Sequence, residues 1–158
     1  MDDFYMSQAL SEARRGMERG DVPVGAVLVK DREILARGSN VKTNDPTAHA
    51  EIRVIREAAE RLGTWNLSGC DLYVTLEPCP MCAGAVVSSR IRTVIFGARD
   101  PRAGAVGSLY DIPRDVRLNH RCKVRSGVME EMCANILKEY FRLRRENKSQ
   151  GAVSKTGK

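Results

Sequence analysis

Two short stretches carry residue types able to do chemistry together: His49-Ala50-Glu51 and Pro78-Cys79-Pro80-Met81-Cys82. One imidazole and two thiolates suit zinc, and three protein ligands leave a fourth position open, as in a catalytic rather than a structural zinc site. A water there is acidified to a pKa of about 7, so hydroxide becomes available at neutral pH. Glu51 is then better cast as a proton shuttle than as a fourth ligand. Taken singly, each residue has a plainer reading. His49 alone could be a hydrogen-bonded helix-start histidine, Cys79 and Cys82 alone a redox pair, and Glu51 alone a solvated helix residue.

Elements that position these residues can be inferred from apolar spacing. Ala9, Leu10, Ala13 and Met17 mark an amphipathic helix over residues 4–18. Val24–Val29 is a strand covered on both faces, Lys30-Asp31-Arg32 a tight turn, and Glu33–Arg37 the returning strand. Residues 38–47 form a loop. Asp45-Pro46 signals a helix start, with Asp as N-cap and Pro in the first turn, and the helix runs to Leu62. Leu72–Leu76 is a strand, and Pro78-Cys79-Pro80 opens a helix to Ser89. Thr93–Phe96 and Lys123–Val128 are strands separated by a loop over 98–121. Met129, Met132, Cys133, Ile136, Leu137, Tyr140 and Phe141 mark a final helix.

This alternation implies a single α/β domain of five strands with helices on both faces, over residues 1–146, and a disordered basic tail over 147–158. Both ligand groups stand at helix starts, whose partial positive charge favours thiolates. Cys79 and Cys82, three apart, share a helix face. His49 and Glu51 are two apart, about 200° on an ideal helix, and converge only if the helix end itself points at the metal.

Composition narrows the class. The five cysteines are odd in number, and MDDFYMSQAL lacks the basic region of a signal peptide. A disulfide framework is therefore not expected, and a cytoplasmic location is. No apolar run reaches membrane-span length. Of the net charge of +6, +5 falls between Lys138 and Lys158, the footprint of a polyanionic partner or else of a solvated tail.

His-x-Glu followed by Pro-Cys-x-x-Cys is the signature of zinc deaminases acting on nucleobases, and every fixed position is present. The chain resembles the bacterial tRNA-specific adenosine deaminases of the cytidine deaminase superfamily. The similarity extends from Asp21-Val22-Pro23-Val24-Gly25-Ala26 to Phe141-Arg142-Leu143-Arg144-Arg145. It includes Asp45–Glu51, Thr75–Cys79, Phe96–Asp100, Gly104–Leu109 and Asn119-His120-Arg121. The resemblance implies a three-layer cytidine deaminase-like fold, a homodimer and one zinc per subunit. The implied substrate is the wobble adenosine of a tRNA anticodon, deaminated to inosine. It also implies His49, Cys79 and Cys82 as metal ligands and Glu51 as the catalytic acid–base.

The same resemblance places Asn40, Ala50 and Pro78 at the base, Arg99 and Asp100 towards the RNA, and Arg142, Arg144 and Arg145 on its backbone. Outside the resemblance, Asn40 is a turn residue after Gly38-Ser39, and Arg99-Asp100 a surface turn. The loop Val41–Asn44 is slightly short for the family, and the chain beyond Glu146 has no counterpart in it. His120 is not assigned to the metal. Two rivals remain: a deaminase of free guanine, cytosine or deoxycytidylate, and a non-catalytic zinc-containing RNA-binding subunit. A deaminase domain of riboflavin synthesis shares the signature, but its reductase partner is not expected here.

Overall fold

The computed structural model describes the backbone of residues 1–156 and side chains as far as residue 149. The elements run α1 (Asp2–Glu18), β1 (Gly25–Lys30), β2 (Glu33–Ser39), α2 (Ala50–Leu62), β3 (Cys70–Leu76), α3 (Pro80–Ser88), β4 (Thr93–Ala98), β5 (Lys123–Ser126) and α4 (Glu130–Thr156). The five strands form one sheet in the order β2-β1-β3-β4-β5. β1 is antiparallel to β2 and β3, whereas β3, β4 and β5 are mutually parallel.

Apolar runs in the strands are nearly continuous because both faces are covered. Alternate residues serve opposite layers. Ala26, Leu28, Leu72, Val74, Val94 and Phe96 pack towards α2 and α3. Val27, Val29, Tyr73 and Ile95 pack towards α1 and α4. The expected three-layer α/β domain with helices on both faces is therefore present. Gly25 sets how closely α1 approaches: a Cβ there would run into the Ala9 carbonyl and come within 2.5 Å of the Ala13 nitrogen. Asp31 and Arg32 both have positive φ, the two-residue hairpin turn that matches strand twist.

Two element boundaries differ from the sequence reading by more than two residues. α2 begins at Ala50, not at Pro46. The Asp45 carboxylate accepts hydrogen bonds from the Thr47 N–H and Oγ1, closing a local turn instead of capping a helix. α4 continues to Thr156, through most of the stretch expected to be a disordered tail. No proline interrupts it.

Candidate active site

The two signature stretches meet at the N-termini of α2 and α3. His49 is the N-cap of α2, with extended backbone (φ −72°, ψ 154°), and Cys79 is the N-cap of α3, also extended (φ −73°, ψ 174°). Pro80 occupies the first helical position of α3, where its missing N–H costs nothing. Because His49 precedes the helix, the 200° separation from Glu51 does not apply, and Glu51 sits in the first turn behind it. Cys82, one turn after Cys79, completes the set.

His49 Nδ1 lies 3.6 Å from Cys79 Sγ and 3.5 Å from Cys82 Sγ. Tetrahedral zinc, with bonds of about 2.3 Å to sulfur and 2.0–2.1 Å to nitrogen, would separate N and S by about 3.5–3.6 Å. All three ligand atoms fall within 4.8 Å of one another, so the three residues are placed to hold a metal ion. Among the described residues they form the one such cluster. His120 is elsewhere, its Nε2 2.7 Å from the Ile91 carbonyl.

The electrostatics favour a thiolate at Cys79. A hydrogen bond from Cys82, helped by His49, brings the Cys79 thiol down to about 4 against the opposing effect of burial. The same interaction, with burial, pushes Cys82 up. One proton is thus shared across the sulfur pair, and a divalent cation would displace it. His49 is raised, chiefly by its hydrogen bond with Cys79. Glu51 is buried and its pKa is raised above the ordinary carboxylate value. Desolvation is the main cause, and it outweighs opposing hydrogen bonds from backbone N–H and the Cys82 thiol. Burial thus favours the protonated carboxyl, so the side chain is suited to hold a proton as well as to accept one.

Beside His49 lies a cleft of about 280 Å³ lined by that residue, Val22, Asn40 and most of the 41–48 loop. The loop is closed by a bond from the Val41 N–H to the Ala48 carbonyl and anchored by one from the Lys42 N–H to Asp21. Asn40 lines this cleft, and its Oδ1 accepts the Ala50 N–H at 2.7 Å. Asn40 keeps its NH2 as a donor and one lone pair on Oδ1, and the Ala50 N–H is taken. The Pro78 carbonyl accepts the Ala105 N–H at 2.8 Å, leaving one lone pair.

Beside it runs a second groove of about 860 Å³ between the 99–102 loop and α4, lined by the cations Arg99, Arg102, Lys138, Arg144, Arg145 and Lys148. Val22 borders both cavities. Of the three arginines expected on the RNA, Arg144 and Arg145 line the groove. Arg142 does not, and instead pairs with Glu146 at 2.8 Å. Arg99 lies over the Phe96 ring, 5.8 Å from its centre. Asp100 also lines the groove, and its carboxylate accepts the N–H groups of Arg102 and Ala103, which organises the turn. Sequence reasoning missed Arg102, and it placed Lys138 and Lys148 only within the basic run from Lys138 to Lys158. Their only signal was charge, which becomes a site once the 99–102 loop and α4 are adjacent. It also left Glu77 inside a matched string without a role.

The family profile described as MafB19-like deaminase matches residues 1–145. The chain is 51% identical to the tRNA-specific adenosine deaminase of Bacillus subtilis (strain 168), over 93% of this chain and 92% of that one. A solved structure from a study of A-to-I editing by tRNA:A34 deaminases at the wobble position of transfer RNA superposes with a TM-score of 0.82. It is 50% identical and covers 85% of this chain and 99% of that one. A guanine deaminase from Nitrosomonas europaea shares the fold at 25% identity and a TM-score of 0.75, over 87% of this chain and 83% of that one. The chain is a deaminase of the MafB19-like family and belongs with the tRNA-specific adenosine deaminases.

Proposed function

We propose that the protein hydrolytically deaminates the wobble adenosine of a tRNA anticodon, giving inosine and ammonia, as a cytoplasmic homodimer with one zinc per subunit. The observation that carries this reading is the adjacency of the two cavities through Val22. A ribose-phosphate backbone seated along six cations can place one flipped base against His49, Cys79 and Cys82. A free base needs no such groove.

His49 Nδ1 and the Cys79 and Cys82 thiolates would hold the zinc, whose Lewis acidity supplies a nucleophilic hydroxide at neutral pH. Glu51 takes the proton from the attacking water, passes it to the ring nitrogen beside the reacting carbon, and returns a proton to the departing amine. Burial keeps bulk water from competing for these transfers. Asn40 donates through its NH2 to an acceptor on the base, held in that orientation by the Ala50 N–H. The Pro78 carbonyl has a lone pair left for the amine. Lys138, Arg144, Arg145 and Lys148 on α4, with Arg99 and Arg102, meet phosphates and position the RNA without reading its bases.

A guanine deaminase would use the same chemistry on the same fold, and a non-catalytic RNA-binding subunit would have no use for the buried Glu51. Incubation with bulk tRNA, followed by nucleoside analysis, tests the reading. Inosine should form in tRNA. Its absence, together with turnover of free guanine, would transfer the protein to the nucleobase deaminases.

A further inference from the structure

Glu77 lies one residue beyond β3 and two before Cys79, and only 2% of it is exposed. Four donors converge on its carboxylate, two on each oxygen. Oε1 accepts the Asp100 N–H at 3.1 Å and the Ser108 hydroxyl at 2.5 Å. Oε2 accepts the Val106 N–H at 2.9 Å and the Ser108 N–H at 3.0 Å. The loop is shaped to this carboxylate: a Cβ on Gly104 would collide with it and stand 2.5 Å from the Asp100 carbonyl. Backbone bonds flank the cluster, from the Glu77 N–H to the Ala98 carbonyl and from the Ala105 N–H to the Pro78 carbonyl, both 2.8 Å. The chain that wraps Glu77 is the one that presents Arg99 and Arg102 to the cationic groove.

Buried carboxylates are costly unless their lone pairs are used, and here four donors use them. Packing alone would be served by an apolar residue. A charged hub joining the thiolate corner to the groove loop serves registration. We propose that Glu77 is a positioning residue, holding the 99–108 loop and its groove cations in register with the Cys79–Cys82 corner, so that RNA bound in the groove delivers its base to the metal centre. This rests on the tRNA reading given above. Glu77 touches neither the base nor the metal in this role and acts through the loop.

Glu77→Gln tests it, because the amide keeps the shape but sets an NH2 against two of the four donors. Zinc content, kcat, KM and the salt dependence of binding are measured with a wobble-adenosine anticodon stem-loop. The variant should retain its zinc and most of its kcat at saturating RNA. Its KM should rise about tenfold, the scale of leaving charged, buried hydrogen bonds unmade. Its plot of log affinity against log salt should be shallower by about 1 to 2, as expected for one or two lost phosphate contacts. A folded, zinc-loaded variant with wild-type KM and salt slope overturns the proposal, as does loss of zinc with the slope unchanged. Should Glu77→Gln fail to fold, Ser108→Ala removes one donor alone. It should raise KM by about threefold with kcat unchanged, and an unchanged KM counts against the proposal. Wild-type protein that binds no RNA overturns this proposal and the tRNA reading together, whereas a wild-type slope in the variant overturns this one alone.

Discussion

The Oδ1 of Asn40 accepts a 2.7 Å hydrogen bond from the backbone N–H of Ala50, so a side chain that lines the cleft beside His49 also caps α2. The cap satisfies one of the four N–H groups that a helix start leaves without a partner. Asparagine and aspartate serve such a start equally well, and negative charge suits it. Only asparagine can also donate.

Asn40→Asp should therefore leave the thermal midpoint unchanged within about 2 °C, while kcat/KM on a wobble-adenosine stem-loop falls at least about tenfold. Asn40→Ala should lose the same activity and also melt roughly 2–4 °C lower, for a cap worth about 1 kcal/mol. Full activity in Asn40→Asp would remove Asn40 from the substrate site.

Glu51 stands in the first turn of α2, two residues after the N-cap His49, and is buried beside the sulfur pair. Glu51→Ala should keep its zinc and its fold while losing turnover by about 10² to 10⁴, the usual contribution of a general acid–base group. Cys82→Ser should instead lose most of the metal. Metal loss in Glu51→Ala would make Glu51 a ligand.

The ligands and the proton shuttle were legible in the sequence because their residue types are rare together and their spacing is local. The sheet was equally legible, since strands covered on both faces leave unbroken apolar runs such as Val24–Val29. The start of α2 was not. Asp45-Pro46 is a sound capping signal locally, but its carboxylate is taken by Thr47, and the helix waits for Asn40 to reach Ala50. The convergence of His49 and Glu51 was likewise hidden, since a helical angle was assigned to a residue with extended backbone. The groove could not be found from charge runs, because Arg99 and Arg102 lie some forty residues before their partners on α4. Glu77 was illegible because a carboxylate that binds backbone N–H groups leaves no pattern in side-chain types.

Groove contacts separate the arginines of α4. Replacing Lys138, Arg144 and Arg145 together with Ala should weaken stem-loop binding and flatten its log–log salt slope by about 2 to 3, close to one per lost phosphate contact. Arg142→Ala should change affinity less than about twofold, because an exposed pair such as Arg142–Glu146 contributes little and lies outside the groove. Zinc content should be unchanged in both. Equal losses from the two variants would refute the assignment of faces.

Acid should loosen the seam between α1 and the sheet. Asp2 accepts two bonds from Arg125, at 2.8 and 3.0 Å, and one from the Tyr73 hydroxyl at 2.7 Å. The Arg125 hydrogen bond is the chief cause of its lowered pKa, which also reflects Tyr73 and is partly offset by burial. A depressed carboxyl stabilises the fold above its unfolded value, about 3.9, and that contribution fades as pH falls through the lower folded value. Urea midpoints measured from pH 6 to pH 2.5 should therefore fall more steeply for wild type than for Asp2→Asn. Parallel curves would show that the network has no part in acid stability.

The central claim is that the cationic groove and the His49–Cys79–Cys82 centre work on one substrate. It is tested most directly by measuring kcat/KM in parallel on an anticodon stem-loop with adenosine at the wobble position, the same stem-loop with that adenosine moved one position along, free adenosine and free guanine. Inosine should form in the first at a rate far above the other three, and the rate should fall steeply with salt. Comparable or faster turnover of a free base, with no inosine in the stem-loop and no dependence on salt, would contradict the account.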